Sequence, residues 1–230
     1  MAHYYPKIGA PYVRDVSTGF MTQIYSDPYL PLIDRMGNWV FTEKIDGTSV
    51  LVHWDGDKVH FYGHTTKSKI PTAHLEWLQS RFGSLEFESV VEQCFGDKPV
   101  SLYGEMFGGN INNGSRYSDD YQFFVFDVQI GAEVTDAGVV RPSSWLDWDN
   151  VVDVCNKLGV PHVPEIQAEW RESCLFGVVT AVPYFESIVA SMFGKPAFIA
   201  EGVVARPRAV LLTRDGSYIR YKVKRRDYDR

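Results

Sequence analysis

The stretch "FTEKIDGTS" runs from Phe41 to Ser49, and how its lysine is read decides how the rest of the chain is read. Lys44 ends one apolar run, "WVF", after which Asp46 and Gly47 lead the chain into another, "SVLVHW". A lysine at the end of a strand is ordinarily a solvated charge beside a turn. A lysine held at the mouth of a site can instead use its amine for chemistry. What lies at the other strand edges decides between the two.

Outward from Lys44, "WVFTEKIDG" and "TSVLVHW" read as strands, and Asp55-Gly56 starts a turn into "KVHFYGH" that makes a hairpin. "TAHLEWLQSRF" and "FESVVEQCF" carry apolar residues at helical spacing. "VSLYGEMFG" and "YQFFVFDVQI" read as core strands on either side of a Gly/Asn-rich loop, "GGNINNGSRYSDD". "SWLDWDNVVDVCNKLG" reads as a helix stopped by Gly159 ahead of Pro161, and "PYFESIVASMFG" as another. The last two strands are "EGVVARP" and "SYIRYKVK". Strands and helices mix without strict alternation, and the chain has no repeat, low-complexity segment or clear linker. The expected fold is α+β: one domain over residues 1–230, built on antiparallel sheets with helices in the insertions.

Composition narrows the function classes. The 230 residues are enough to bury a full core. No apolar run approaches the ~18 residues of a membrane span, and "MAHYYPKIGAPYVRD" lacks the apolar core of a secretory signal. Cys94, Cys155 and Cys174 are far apart and fit no zinc spacing, so they read as buried thiols in a reducing, cytoplasmic setting. A net charge of −6 argues against a nucleic-acid binder that uses its whole surface. The segment from Arg214 onward differs: it carries seven Lys/Arg against three Asp. Interleaving with Tyr218, Tyr221 and Val223 suggests a strand with one cationic face, suited to phosphates.

Lys44, Glu105, Glu201, Lys222 and Lys224 all fall at the edges of apolar strands. One such residue means little, but five suggest a shared cleft floored by sheet. There, lysines would take the phosphates of a metal-bound polyphosphate, and carboxylates the metal and a ribose. Phe126 can offer an aromatic face to a base.

These segments and their order resemble the covalent nucleotidyltransferases, the Lys-x-Asp-Gly group of nucleic-acid ligases and mRNA capping enzymes. "EKIDGTS" looks like the motif carrying the nucleophile, and "YGEMFGG" like the segment around the ribose-binding glutamate. "FFVFDV" resembles the motif of the base-stacking aromatic, "AEGVVARP" the strand with the catalytic glutamate, and "RYKVK" the closing Lys-x-Lys. The matches run in order from Trp39 to Lys224 and are most similar to the RNA ligase 2 branch.

The resemblance implies a nucleotidyltransferase fold around an ATP cleft, with Mg2+ or Mn2+ as the metal. Lys44 would attack the α-phosphate of ATP and become lysyl-AMP. A free lysine, with a pKa of ~10.4, is almost wholly protonated at neutral pH. Lys222, Lys224 and metal nearby would disfavour the charged form and then steady charge on the phosphate. Glu201 would be the metal-linked carboxylate, Glu105 the ribose contact and Phe126 the adenine stack. Thr42, Glu43, Asp46 and Gly47 would complete the ATP site. Arg206, His64 and Ser49 would face the phosphates or the strand being sealed.

Departures from the pattern refine this. DNA ligases typically place a glutamate two residues before the lysine; here that position is Thr42, with Glu43 beside Lys44, which tilts the reading to RNA ligases. His64 stands where the family has an arginine, with Lys67 and Lys69 close behind, and Ser49 replaces an asparagine. Both changes bear more on strand joining than on lysine adenylylation. Only six residues follow Lys224, so neither an OB domain nor a helical C-terminal domain is expected. The expectation is an ATP-dependent polynucleotide ligase acting on RNA rather than DNA, best at nicks in a duplex. The alternatives are a non-catalytic module binding nucleic-acid ends, a DNA ligase, and a GTP-using capping-type enzyme.

Overall fold

The computed structural model describes residues 3–36, 38–141, 144–166, 175 and 181–228. In chain order the elements are β1 (Tyr12–Arg14), β2 (Met21–Tyr25), α1 (Leu30–Met36), β3 (Trp39–Lys44), β4 (Thr48–Trp54) and β5 (Val59–Tyr62). Then come α2 (Thr72–Phe82), α3 (Leu85–Phe95), β6 (Val100–Phe107), β7 (Gln122–Ile130), β8 (Glu133–Thr135) and β9 (Gly138–Arg141). The remainder is β10 (Ser144–Trp145), α4 (Trp148–Leu158), α5 (Ile188–Met192), β11 (Gly202–Pro207) and β12 (Tyr221–Lys224). Every strand pair within these sheets is antiparallel, so the fold is α+β. No helix among the described residues is long and apolar enough to cross a membrane.

The chain divides into two compact units. The first comprises Met1–Lys7 and Asp46–His162, and the second Ile8–Ile45 and Val163–Arg230.

The first unit is built on a five-stranded sheet in the order β10-β7-β6-β4-β5. Its central strands are buried along nearly their whole length, which accounts for the almost unbroken apolar runs in "VSLYGEMF" and "QFFVFDVQI". Phe82 at the end of α2 meets Phe123 of β7 edge-on at 5.4 Å. Ser84 caps the start of α3, its hydroxyl accepting from Phe87 N at 3.2 Å, with Glu86 and Glu88 in the positive first turn. α4 buries Val151, Val154, Cys155 and Leu158, one stripe at helical spacing. Asp147 caps its start, and Gly159 ends it at φ 63, a conformation that glycine adopts at little cost. The helix therefore starts later than the "SWLDW" text suggests: Ser144 and Trp145 pair with β7 instead.

The second unit contains the sheet β12-β11-β3. Alternation sorts its side chains. Trp39 and Phe41 of β3, Val203 and Ala205 of β11, and Tyr221 and Val223 of β12 join one apolar core with Leu30 and Tyr12. The intervening residues point to the opposite face. In "PYFESIVASMFG" a 3-10 turn covers Val182–Tyr184 and α5 only Ile188–Met192, because Glu186 forms a bridge with Ile199 that interrupts a continuous helix. "SYIRYKVK" is a regular strand only from Tyr221, while Tyr218 bridges back to Leu212. Cys155 is buried, and burial pushes its thiol up to about 12; Cys94, expected inside, is exposed on α3. Cys174 lies outside the described residues.

Candidate active site

Register alone places the lysines of the second unit. Gly202 of β11 pairs with Lys44 on one side and Lys224 on the other, and Val204 pairs with Lys222. All three lysines thus fall on the face opposite the core. Gly202 is required there, since an added Cβ would collide with Val223 O and Lys224 Cα. Glu201, one residue earlier, sends its carboxylate between two of the amines. Lys44 Nζ donates to Glu201 Oε2 at 2.5 Å, and Lys224 Nζ donates to Oε1 at 2.5 Å. Each of these side chains is about one-fifth exposed, so the cluster is reachable but poorly solvated.

The electrostatics follow from that geometry. Burial pushes the Glu201 carboxyl up, but the charge of Lys44 and the bonds from Lys224 and Lys44 outweigh it and leave it below the usual range. Lys222 is pulled below the ordinary lysine value, first by burial and then by Lys224 and Lys44. The sequence reading expects crowded cations to act on Lys44. Lys44 has a carboxylate partner, and Lys222 has Lys224 and Lys44 as cationic neighbours.

The strand that ends in Lys224 is itself fastened. Asp227, buried, accepts from Lys224 N at 2.8 Å and pairs with Arg14 of β1 at 2.7 Å. Neither Asp227 nor Arg14 carries a signal legible in sequence.

Glu43, Thr42 and Arg206 depart from expectation. Glu43 alternates with Lys44 and so faces the core, at 2% exposure. Its Oε1 accepts from the Ser187 hydroxyl at 2.6 Å and its Oε2 from Val189 N at 2.9 Å, anchoring the start of α5. It is thus a helix anchor. Thr42 and Arg206, on the face of the lysines, are each 1% exposed. Burial raises the Glu43 carboxyl, against the lowering bonds from Ser187, Val189 and Ile188. A raised folded-state value means that its contribution to stability is complete below the ordinary ~4.3 and is lost as pH rises through the folded value. Glu43→Ala orphans the Ser187 hydroxyl and the Val189 amide and should cost about 1–3 kcal/mol, read by urea unfolding. An unchanged unfolding midpoint would show that α5 does not depend on this anchor.

In the first unit, Asp46 and Gly47 are held by the loop after β6. Asp46 N donates to Tyr117 Oη at 3.1 Å, Asn113 Nδ2 to Asp46 Oδ2 at 3.2 Å, and Asn112 Nδ2 to Gly47 O at 2.7 Å. Glu105, opposite Ser49 in register, accepts from Gly47 N at 3.2 Å. The Gly/Asn-rich loop therefore shapes the turn that follows Lys44. Phe126 is an extra residue in β7: Val125 pairs with Gly104 and Asp127 with Tyr103, leaving Phe126 in a bulge. His64 is exposed, and its Nε2 lies 3.2 Å from His3 Nδ1, so its imidazole has a protein partner.

For a divalent metal, the fit is limited. Among the described residues no three His, Cys, Asp or Glu side chains gather as a cage. Glu201 supplies one partly buried carboxylate. Magnesium keeps several waters and takes one or two carboxylates beside substrate phosphates. The donor set therefore suits an ion carried on a polyphosphate.

The chain's fold and its family agree. Its fold is similar to that of a Naegleria gruberi RNA ligase mutant in apo form, with TM-score 0.59 and 16% identity over 98% of this chain and 62% of that one. A second mutant of that ligase, with ATP and Mn, matches with TM-score 0.59 and 15% identity over 97% of this chain and 63% of that one. A third, with AMP and Mn, gives TM-score 0.56 and 16% identity over 97% and 62%. The chain thus spans under two thirds of the length of these ligases. No curated protein sequence matches it. A family profile described as RNA ligase matches residues 37–224, and the chain belongs to the RNA ligase family.

Proposed function

We propose that this chain is an ATP-dependent RNA ligase whose nucleophile is Lys44. The observation that carries the reading is the pair of lysines, on the two strands that flank β11, sharing the two oxygens of Glu201. A lysine ion-paired at the end of a rigid strand is aimed, and once its ammonium has given up a proton to solvent the amine has a lone pair for attack. Nζ then bonds to the α-phosphorus of ATP and pyrophosphate leaves, giving lysyl-AMP. AMP passes to the 5′-phosphate of a strand, and a 3′-hydroxyl displaces it as the phosphodiester forms. Lys222 and Lys224 neutralise charge on the phosphates in flight, the role for which preorganised cations are suited. Glu201 would hold Mg2+ or Mn2+, which when bound would offset charge on the triphosphate. Glu105 takes the ribose and Phe126 stacks on adenine. ATP and Mn appear with similar ligases, which supports both as ligands here.

The chain acts as a single minimal adenylyltransferase core; the family match running from 37 to 224 supports this. RNA is the substrate, with nicked duplex favoured, and the setting is cytoplasmic. A pairing strand brings both ends into line and replaces positioning that the enzyme must otherwise supply. Given a nicked RNA duplex or free single strands of the same sequence, with ATP and Mg2+, sealing should be about 100-fold or more faster at the nick. Equal rates would refute the nick preference. Lysyl-AMP without sealing of either substrate would favour an end-binding module.

A further inference from the structure

The chemistry above leaves unused a buried carboxylate next to the base-stacking residue. Asp127 is fully buried, and the hydroxyl of Tyr5 donates to its Oδ2. The Tyr5 ring meets Phe126 at 4.9 Å with 72° between planes. It also packs on Tyr103 at 5.2 Å and on Trp145 at 5.7 Å, spanning β6, β7 and β10. Its neighbours are pinned as well. His3 forms a bridge with Thr65, and Tyr4 donates to Thr135 O at 3.1 Å while its ring lies 4.9 Å from that of Tyr62. Three successive residues are thus fastened to different parts of the first unit.

Phe126 has a particular need for such a fastening. As the extra residue of a bulge, it has no register partner on β6, and cross-strand neighbours are what ordinarily fix a strand side chain. Asp127 follows Phe126 in the chain, so the contacts close a loop. Backbone joins Phe126 to Asp127, the carboxylate holds the Tyr5 hydroxyl, and the Tyr5 ring meets the Phe126 ring. We infer that Tyr5 and Asp127 are positioning residues for nucleotide binding, holding the Phe126 ring in the plane that receives the base. This rests on the reading that Phe126 stacks on adenine.

The test titrates ATP against single-turnover formation of lysyl-AMP in the full chain, with Phe126→Ala as the reference. Losing a stacking ring costs about five- to hundredfold in affinity, and loosening one should cost part of that, about three- to tenfold. Tyr5→Phe deletes one oxygen and should raise the half-saturating ATP concentration by about that factor, with the maximal rate kept. Asp127→Asn still offers an oxygen to Tyr5 and should stay near wild type. If Tyr5→Phe is too unstable, Tyr5→Phe with Asp127→Asn, which replaces the buried charge by a neutral amide of the same size, serves as the second variant. The double variant should show the same weakened ATP saturation. A wild-type ATP curve in the Tyr5 variants, while Phe126→Ala is weakened, overturns the brace and leaves the stack standing. A wild-type curve in Phe126→Ala means that the stacking reading itself has failed, and the brace with it.

Discussion

Glu201→Gln is expected to slow lysyl-AMP formation by about 100-fold, the scale of an ångström-level misplacement of reacting groups. The carboxylate has one oxygen for Lys44 and one for Lys224, both at 2.5 Å. An amide keeps the size but offers one acceptor, and turns its NH2 toward the other ammonium. One lysine therefore loses its aim. The loss should appear in the adenylylation rate measured by rapid quench, with far less effect on folding at neutral pH. Acid stability should change in a defined direction. The Glu201 carboxyl is held below its ordinary value, so its stabilising contribution is present above ~4.3 and lost as pH falls through the folded value. Glu201→Gln should lack that acid-side loss. An unchanged rate with the amide in place would remove Glu201 from the chemistry.

The larger effect is at the nucleophile. Lys44→Ala should form no lysyl-AMP, and Lys44→Arg should form none either, because a guanidinium stays protonated and has no lone pair to offer. Both variants should fold, since Lys44 sits at a strand end with its side chain partly in water. Supplied with a strand already carrying 5′-AMP, Lys44→Ala should still seal the nick, as that step does not use the lysine amine. Loss of this second step as well would mean that Lys44 also acts in sealing or in holding the site together.

Much of this was legible in the residues. Period-two alternation with an apolar inner face lets β3, β11 and β12 be read directly, and it puts Lys44, Lys222 and Lys224 on a common side. The same alternation sends Glu43 inward, a consequence easily missed when a charged residue stands beside a nucleophile. Its burial became plain only with α5, whose start supplies the hydroxyl and amide that satisfy it. The burial of Arg206 was not legible for a similar reason: one strand does not reveal what covers its outer face. Asp227, Arg14, Tyr5 and Asp127 act through partners more than 100 residues away or through local backbone bonds, and neither kind of contact leaves a periodic trace. The turn chemistry of "IDG" was legible, but the loop that holds it, Asn112 to Tyr117, is joined to it only by tertiary hydrogen bonds.

The central claim is that Lys44 carries the nucleotide. The most direct measurement incubates the wild-type chain with ATP and Mg2+, denatures it, and maps the modified peptide by mass spectrometry. The account predicts one AMP, joined through phosphorus to Nζ of Lys44. An AMP mapped to another residue, or an adduct undiminished in Lys44→Ala, would contradict it.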